Sequence, residues 1–478
     1  MKKKSIKKNL LLNNLRIIIN FLLPLITFPY TSRVLGPEML GRVDYAISIV
    51  AYFILFATLG IPNYGIRTIS GVRDDKKKMS VAVAELSLIL TVSTVVVLII
   101  YSFAFFLFPN VFSEKKLYII LGSNIILSAF NLEWFYVGIE DQAFITKRFL
   151  IIKILSVLCL FLFVKQSSDY ILYALISVVM GSFGTIFNIS HLRKHVEFVH
   201  LRDLHPVKHI IPILITFGST LAISIYSYVD ITMLGNMAGD VYVGLYSAAN
   251  KITNMALTVI TSLGAIMLPR LSNLFETGNI EKYKLKLCTS LNFTLLISLP
   301  AALGIIILGP DFLELLTGSK YEGAKLTLQI LAIILLIIPF AHYVGFQILY
   351  TNKKELYYTI AVSLGAIANL IANYILIPRY QQNGAAFGSV IAEFVGLLVM
   401  CILGYRYIMK YTTFTWKMII YFLSTFVMCV IILLVKEFVE LNVFMYILIG
   451  VVSYILCILI SLRLLRKNLR EYIKDFQL

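Results

Sequence analysis

The chain has little of what a water-soluble protein depends on. Only 14% of its 478 residues are charged, too few to hydrate the surface of a soluble domain of this length. Its five cysteines, Cys159, Cys288, Cys401, Cys429 and Cys457, are far apart and form no CxxC pair, which excludes a disulfide framework and a thiolate metal centre. No GxxxxGK[ST] loop, GxSxG elbow or HExxH helix occurs, so ATP hydrolysis and the common hydrolase chemistries have no support. Between apolar runs no segment is long enough to fold alone, the longest being about 309–325 and 191–209. All chemistry must therefore take place within or beside a bundle of spans, and the chain is not expected to be an enzyme.

What is present is apolar sequence in bilayer-sized pieces. Hydrophobic residues make up 59% of the chain and the mean hydropathy is +0.87. Runs of about twenty apolar residues recur, separated by short charged segments, as in a polytopic all-α integral membrane protein. Fourteen spans are expected: 11–30, 44–61, 80–108, 117–138, 148–164, 170–190, 210–232, 242–268, 286–308, 326–350, 356–377, 384–404, 415–435 and 443–462. The opening MKKKSIKK is followed by a run containing Asn20 and Pro24 and by no small-residue cleavage pattern, so it reads as a retained first span.

Lysine and arginine fall in alternating loops. Of the 42, 30 lie on the N-terminal side of the spans, 9 on the opposite side, and Arg16, Lys153 and Lys251 within spans. Positive residues mark the cytoplasmic face, so both termini are expected there. The net charge of +17 sits in short loops beside spans, which fits anionic headgroups and not nucleic acid.

A weak self-similarity appears at an offset near 200 residues. Tyr136, Val137 and Gly138 recur as Tyr343, Val344 and Gly345; Leu35, Gly36, Gly41, Tyr45 and Ala46 resemble Leu234, Gly235, Gly244, Tyr246 and Ala248; Ala174, Ser177, Val178 and Gly184 match Ala386, Ser389, Val390 and Gly396. Six spans separate the copies, so the halves would insert in one direction, and carriers built this way bind substrate between the halves.

Polar residues form stripes. On the first span Asn13, Arg16, Asn20, Pro24, Thr27 and Thr31 share a helical face; on the seventh Thr216, Thr220, Ser224, Ser227 and Asp230 do; on the eighth Lys251, Asn254, Thr258 and Thr261 do. Intramembrane cations are expensive and need a wet cavity or a partner, which makes Arg16, Asn20, Lys251 and Asn254 candidates for an anion-binding cleft. Lys153, near a span end, can snorkel to the headgroups. Asp230 and Glu393 are candidates for binding a coupling ion or for pairing with Arg16 or Lys251, with Glu85 nearer a span end; Glu133 lies opposite the Asn124, Ser128 and Asn131 strip and suggests packing or pairing. Five of the six histidines, His191, His195, His200, His205 and His209, crowd one loop. Without a cysteine or an evident carboxylate partner they are not expected to hold a metal, and no cofactor is expected.

Several segments together resemble the Wzx-type polysaccharide-transporter branch of the multidrug/oligosaccharidyl-lipid/polysaccharide exporter superfamily: TSRVLGPEMLGRVDYAISIVAYF at 31–53, LGIPNYGIR at 59–67, EWFYVGIED at 133–141, DITMLGNMAGDVYVGLYSAANKI at 230–252, LPRLS at 268–272 and NYILIPRYQQNGAAFGSVIAE at 373–393. The resemblance implies two six-helix lobes of the MATE type, at 1–205 and 206–410, with two further spans and a basic tail at 411–478. It implies flipping of undecaprenyl-diphosphate-linked oligosaccharide from the cytoplasmic to the outer leaflet of the bacterial inner membrane. It also implies a cationic cavity in which Arg33, Arg67 and Arg270 would join Arg16 and Lys251. H+ or Na+ are the candidate coupling ions, and other polysaccharide-assembly membrane proteins are candidate partners. A MATE-type multidrug/cation antiporter, a flippase for lipid II or a teichoic acid precursor, and a membrane glycosyltransferase or polymerase are the alternatives. The short loops speak against the last and the basic stripes against the first.

Overall fold

A computed structural model describes residues 6–413 and 415–464, and all the regular structure in them is helical. Lys2, Lys3, Lys4 and the basic tail from 465 lie outside the described residues, as does the side chain of Asn13.

Close packing divides the chain into two units, Met1–Asn236 and Met237–Leu478. The first contains α1 (Ile6–Thr58), α2 (Ile61–Val72), α3 (Lys76–Leu107), α4 (Lys115–Ala129), α5 (Glu133–Gly138), α6 (Gln142–Phe163), α7 (Tyr170–Leu192) and nearly all of α8 (Ile210–Met237). The second contains α9 (Asp240–Glu276), α10 (Ile280–Thr317), α11 (Ala324–Ala332), α12 (Ile334–His342) with a π-helical continuation Tyr343–Tyr350, α13 (Glu355–Tyr411), α14 (Trp416–Phe438) and α15 (Val443–Leu464).

Among the described residues, ten helices are long and apolar enough to cross a membrane. Two of these, α1 and α13, each contain two of the expected spans joined at a sharp bend. In α1 the bend is at Gly36, whose φ of 77° and ψ of 174° suit only glycine, and Pro37 behind it cannot donate a helical hydrogen bond. In α13 it is at Gln381, beyond which Gly388 lets the two halves close: a Cβ there would lie 2.1 Å from Asn373 Oδ1. The expected spans 148–164 and 210–232 fall on α6, which carries three basic residues, and on α8.

In the first unit α1 packs on α3, α4 and α6, while α7 covers α4 and α6. Buried Val43, Val50, Tyr101, Leu117, Tyr118 and Leu121 form one core cluster and Leu86, Trp134, Phe135, Tyr136, Ile145 and Ile213 another. In the second unit α9, α10 and α11 pack together and α14 and α15 close on α10.

Loops assigned to one side of the membrane do meet. Arg42 Nη1 donates to Glu114 at 2.8 Å and Tyr170 Oη to the same carboxylate at 2.9 Å, joining three segments of one side. On the other side Arg73 pairs with Glu140 and Lys76 with Glu197. Between them Asp75 caps α3 by accepting from the Lys78 N–H, which holds its carboxyl below the ordinary value.

The two expected spans that carry the TyrValGly copies are both interrupted. Expected span 117–138 breaks into α4 and α5 and span 326–350 into α11, α12 and the π segment. Tyr136 and Tyr343, which open the two TyrValGly copies, are both fully buried.

Candidate functional site

Two arginines of the first unit converge on Glu133, the first residue of α5. Its Oε1 accepts from Arg16 Nη1 at 2.8 Å and its Oε2 from Arg148 Nη2 at 2.7 Å. Arg148 also donates through Nη1 to Asn188 Oδ1 on α7. The side chains of Arg148, Arg16 and Glu133 are 9%, 23% and 37% exposed, so the cluster is neither dry nor fully hydrated.

Two guanidinium groups around one carboxylate leave a net positive charge. The cluster borders a cavity of about 360 Å³ lined also by Asn131, Lys153, Ser156 and Ser177. Lys153, read from the sequence as a snorkelling residue, contributes a further cation to this wall. Arg148 Nε and Asn188 Nδ2 are buried donors without a hydrogen-bond partner among the described residues. Buried donors of this kind hold a place for an acceptor. The arrangement can therefore receive an anion or the hydroxyls of a sugar.

The sequence placed Arg148 in a loop, because hydropathy alone starts the fifth span beside it. The helix starts earlier, at Gln142, capped by Asp141, whose Oδ1 accepts from the Phe144 N–H at 3.4 Å. Arg148 thus lies in the second turn, with Ile152 and Ser156 at four-residue intervals toward the same cavity. That spacing was the available signal.

Glu85 is fully buried and receives Lys208 Nζ at 2.8 Å and His209 Nε2 and the His205 N–H at 2.9 and 2.8 Å. His209 Nδ1 in turn meets Tyr64 Oη at 2.7 Å. These contacts fasten the link before α8 to α2 and α3. Along α8, Thr220 and Ser224 line a second cavity of about 350 Å³ with Thr58, Asn124 and Tyr228. Thr232 Oγ1, further along α8, donates to Ser48 Oγ at 3.1 Å. Asp230 is half-buried, and Asn20, Arg33 and Arg67 are exposed, with the Arg67 guanidinium 5.8 Å from the centre of the Tyr64 ring.

In the second unit Lys251 is half-buried on α9, Asn254 is exposed and donates to Asn250 Oδ1 at 2.9 Å, and Arg270 is exposed. Glu393 is half-buried on α13. Of the candidates read from the sequence, Arg16 enters the Glu133 cluster; Arg148 and Asn188 were missed.

A bundle of this many apolar helices, two of them bent, is the architecture of a multi-pass membrane protein. The chain superposes with a TM-score of 0.73 and 17% identity on a solved structure titled lipid II flippase MurJ, inward closed conformation, over 95% of this chain and 99% of that one. With a multidrug resistance MATE family transporter of the MOP superfamily the TM-score is 0.67 at 17% identity, over 81% and 95%. The family model described as polysaccharide biosynthesis protein matches residues 6–275, more than half of the sequence, and a MatE model matches 216–375. The chain belongs to the polysaccharide biosynthesis protein family and is a multi-pass membrane protein. Among its relatives are the "Putative O-antigen transporter" of Escherichia coli K12, 26% identical over 78% of this chain and 90% of that one, and the capsular polysaccharide biosynthesis protein CapF of Staphylococcus aureus, 25% identical over 76% and 90%.

Proposed function

We propose that this protein flips lipid-linked oligosaccharide repeat units, carried on a polyprenyl diphosphate such as undecaprenyl diphosphate, from the cytoplasmic to the outer leaflet of a bacterial inner membrane. Both termini lie on the cytoplasmic side in this reading, which rests on the 30 to 9 distribution of Lys and Arg. A diphosphate with several sugars cannot cross hydrocarbon unaided. The observation that carries the reading is the partly exposed pairing of Arg16 and Arg148 with Glu133, with Lys153 on the wall of the same cavity and two buried donors beside it. It supplies positive charge for phosphate and hydrogen bonds for sugar, while the polyprenyl chain stays in lipid.

The working division is residues 1–205 and 206–410 as alternating lobes, with 411–478 as an appended pair of spans and tail. Lys251, Asn254, Arg270, Arg33, Arg67 and Asn20 are the further cationic and polar residues that would meet the substrate during alternating access. An inside-negative potential favours outward movement of an anionic headgroup by about 2.3 kcal/mol per charge per 100 mV. Asp230 and Glu393 are the residues through which H+ or Na+ would couple, whereas Glu85, saturated by Lys208 and His209, serves as an anchor. Other polysaccharide-assembly membrane proteins are the partners that would take over the flipped unit.

The reading is tested in a deletion strain. Lipid-linked units should accumulate in the inner leaflet and be cleared by the wild-type gene but not by an Arg148→Met variant present at equal abundance. The match to the MatE model favours a second reading as a cation exporter. Drug hypersensitivity of the deletion strain without glycolipid accumulation would establish that reading and remove the first.

A further inference from the structure

Three side chains that the flippase reading does not use meet at the junction of α5, α6 and α7. Asp141 caps α6, and His191 and His195 lie four residues apart at and just beyond the end of α7. The two imidazole Nε2 atoms are 3.3 Å apart, and His191 Nε2 is 3.8 Å from Asp141 Oδ2. All three ligand atoms lie within 4.8 Å of one another. From these positions we infer that Asp141, His191 and His195 form a binding site for a borderline divalent cation of the Zn2+ type.

The distances carry the argument. Tetrahedral Zn2+ with ligand bonds of about 2.0–2.1 Å sets its ligand atoms about 3.3–3.4 Å apart. The observed 3.3 and 3.8 Å lie close to that spacing, and the third separation, within 4.8 Å, closes by side-chain rotation of half-buried residues. Two imidazole nitrogens and one carboxylate oxygen are a set that Zn2+ accepts with a fourth position open.

The surroundings hold each ligand in place. Asp141 Oδ1 is occupied by the Phe144 N–H, which turns Oδ2 toward His191. Phe144 stacks on His191 with ring centres 4.1 Å apart and an interplanar angle of 11°, and Phe135 lies edge-on to His195 at 6.0 Å. Tyr136, whose carbonyl accepts from the Asp141 N–H at 2.8 Å, sends its hydroxyl to the Asn188 carbonyl, so the backbone of the α5–α6 turn is already tied to the last turn of α7. A rival account of the same contact is a weak hydrogen bond between neutral imidazoles, which needs no carboxylate and no metal. A bound cation would fasten α6 to α7, the two helices that carry Arg148 and Asn188. The site does not depend on what the protein transports.

The test uses the full chain in detergent micelles, with any affinity tag removed and resident metal stripped by a chelator. Zn2+ is titrated by calorimetry, and Co2+ is added as a spectroscopic probe. One Zn2+ per chain is expected, with an intense tetrahedral-type Co2+ spectrum and a raised melting temperature. Asp141→Asn keeps a helix-capping side chain while removing the charge, and should weaken binding by about ten- to a hundredfold, as loss of an important metal contact does. His191→Ala/His195→Ala should abolish it and His200→Ala should leave it unchanged. Stoichiometric binding that survives both Asp141→Asn and the double variant would overturn the proposal. So would a weak octahedral Co2+ spectrum, or no uptake by a wild-type chain that elutes as a single species.

Discussion

Glu133→Gln separates a structural role for the arginine cluster from a transport role, because it moves the two readouts in opposite directions. The amide matches the carboxylate in shape but carries no charge, so the group of Arg16, Arg148 and residue 133 goes from one net positive charge to two. Hydrogen bonds to a charged partner contribute about 1.5–3 kcal/mol each, and an acid that is 37% exposed falls at the low end or below. Weakening two such contacts should destabilise the first unit by roughly 1–3 kcal/mol, at about 2–4 °C of melting temperature per kcal/mol for a unit of that size. Affinity for a diphosphate should instead rise. A carboxylate about 6 Å from phosphate at an effective dielectric constant of about 20 repels it by about 3 kcal/mol before screening. If a third of that survives, binding tightens roughly fivefold. Arg148→Met removes both the Glu133 contact and a cation, and should lower affinity by about ten- to a hundredfold. The assay is retention of undecaprenyl diphosphate by purified protein in native mass spectrometry, beside thermal unfolding of the same samples. Equal loss of affinity in Glu133→Gln and Arg148→Met would refute the reasoning and leave the cluster as a helix clasp.

Glu85 is fully buried with three donors, and Lys208, 55% exposed, regains water when its partner is lost, so Glu85→Ala should cost about 1–3 kcal/mol, chiefly through the buried His209 and the His205 N–H left without an acceptor; a double-mutant cycle of Glu85→Gln with Lys208→Met, followed by thermal unfolding, should show coupling above about 0.5 kcal/mol. Gly388→Ala sets a methyl 2.1 Å from Asn373 Oδ1 and should destabilise the second unit by about 1–3 kcal/mol. Gly181→Leu, whose Cβ meets nothing within 4 Å on the wall of the 360 Å³ cavity, should leave the melting temperature within about 2 °C of wild type while lowering polymer export in a complementation assay.

The fold was largely legible because the bilayer imposes a length on each apolar run. What hydropathy could not locate were the ends. α9 continues to Glu276, well beyond its expected limit of 268, and α6 starts at Gln142 in place of 148. Hydropathy marks where a helix leaves hydrocarbon, while caps such as Asp75 and Asp141 mark where hydrogen bonding stops, and the two differ by several residues. The same gap hid part of the site. Arg16 stood out because its neighbours are apolar. Arg148, beside Lys147 and next to a turn, looked like one more loop cation. In the sequence Glu133 reads as a packing or pairing residue facing away from the Asn124, Ser128 and Asn131 strip, but the chain breaks between α4 and α5 and sets Asn131 and Glu133 on the same cavity; its partners sit 117 and 15 residues away in sequence, separations that no periodicity within one helix reports. The carboxylate missing from the histidine cluster, Asp141, lies 50 residues before His191 for the same reason.

An acid in a cavity suited to anions has a physical use in a carrier that must also return empty. Cations left unpaired in a partly dry site carry a desolvation penalty of several kcal/mol each, and a carrier that met it on every return would rest in whichever state hydrates them. In the proposed cycle Glu133 pairs with Arg16 and Arg148 when the site is empty, and a diphosphate would displace its carboxylate. The double variant Glu133→Gln/Arg148→Met follows from this. It removes one charge of each sign, so its melting temperature should recover above the sum of the single losses, with coupling of more than about 1 kcal/mol. Transport should not recover, since the cation that meets phosphate is gone. Complementation by the double variant at wild-type level would mean that Arg148 serves only to neutralise Glu133, and that the anion is received elsewhere in the chain.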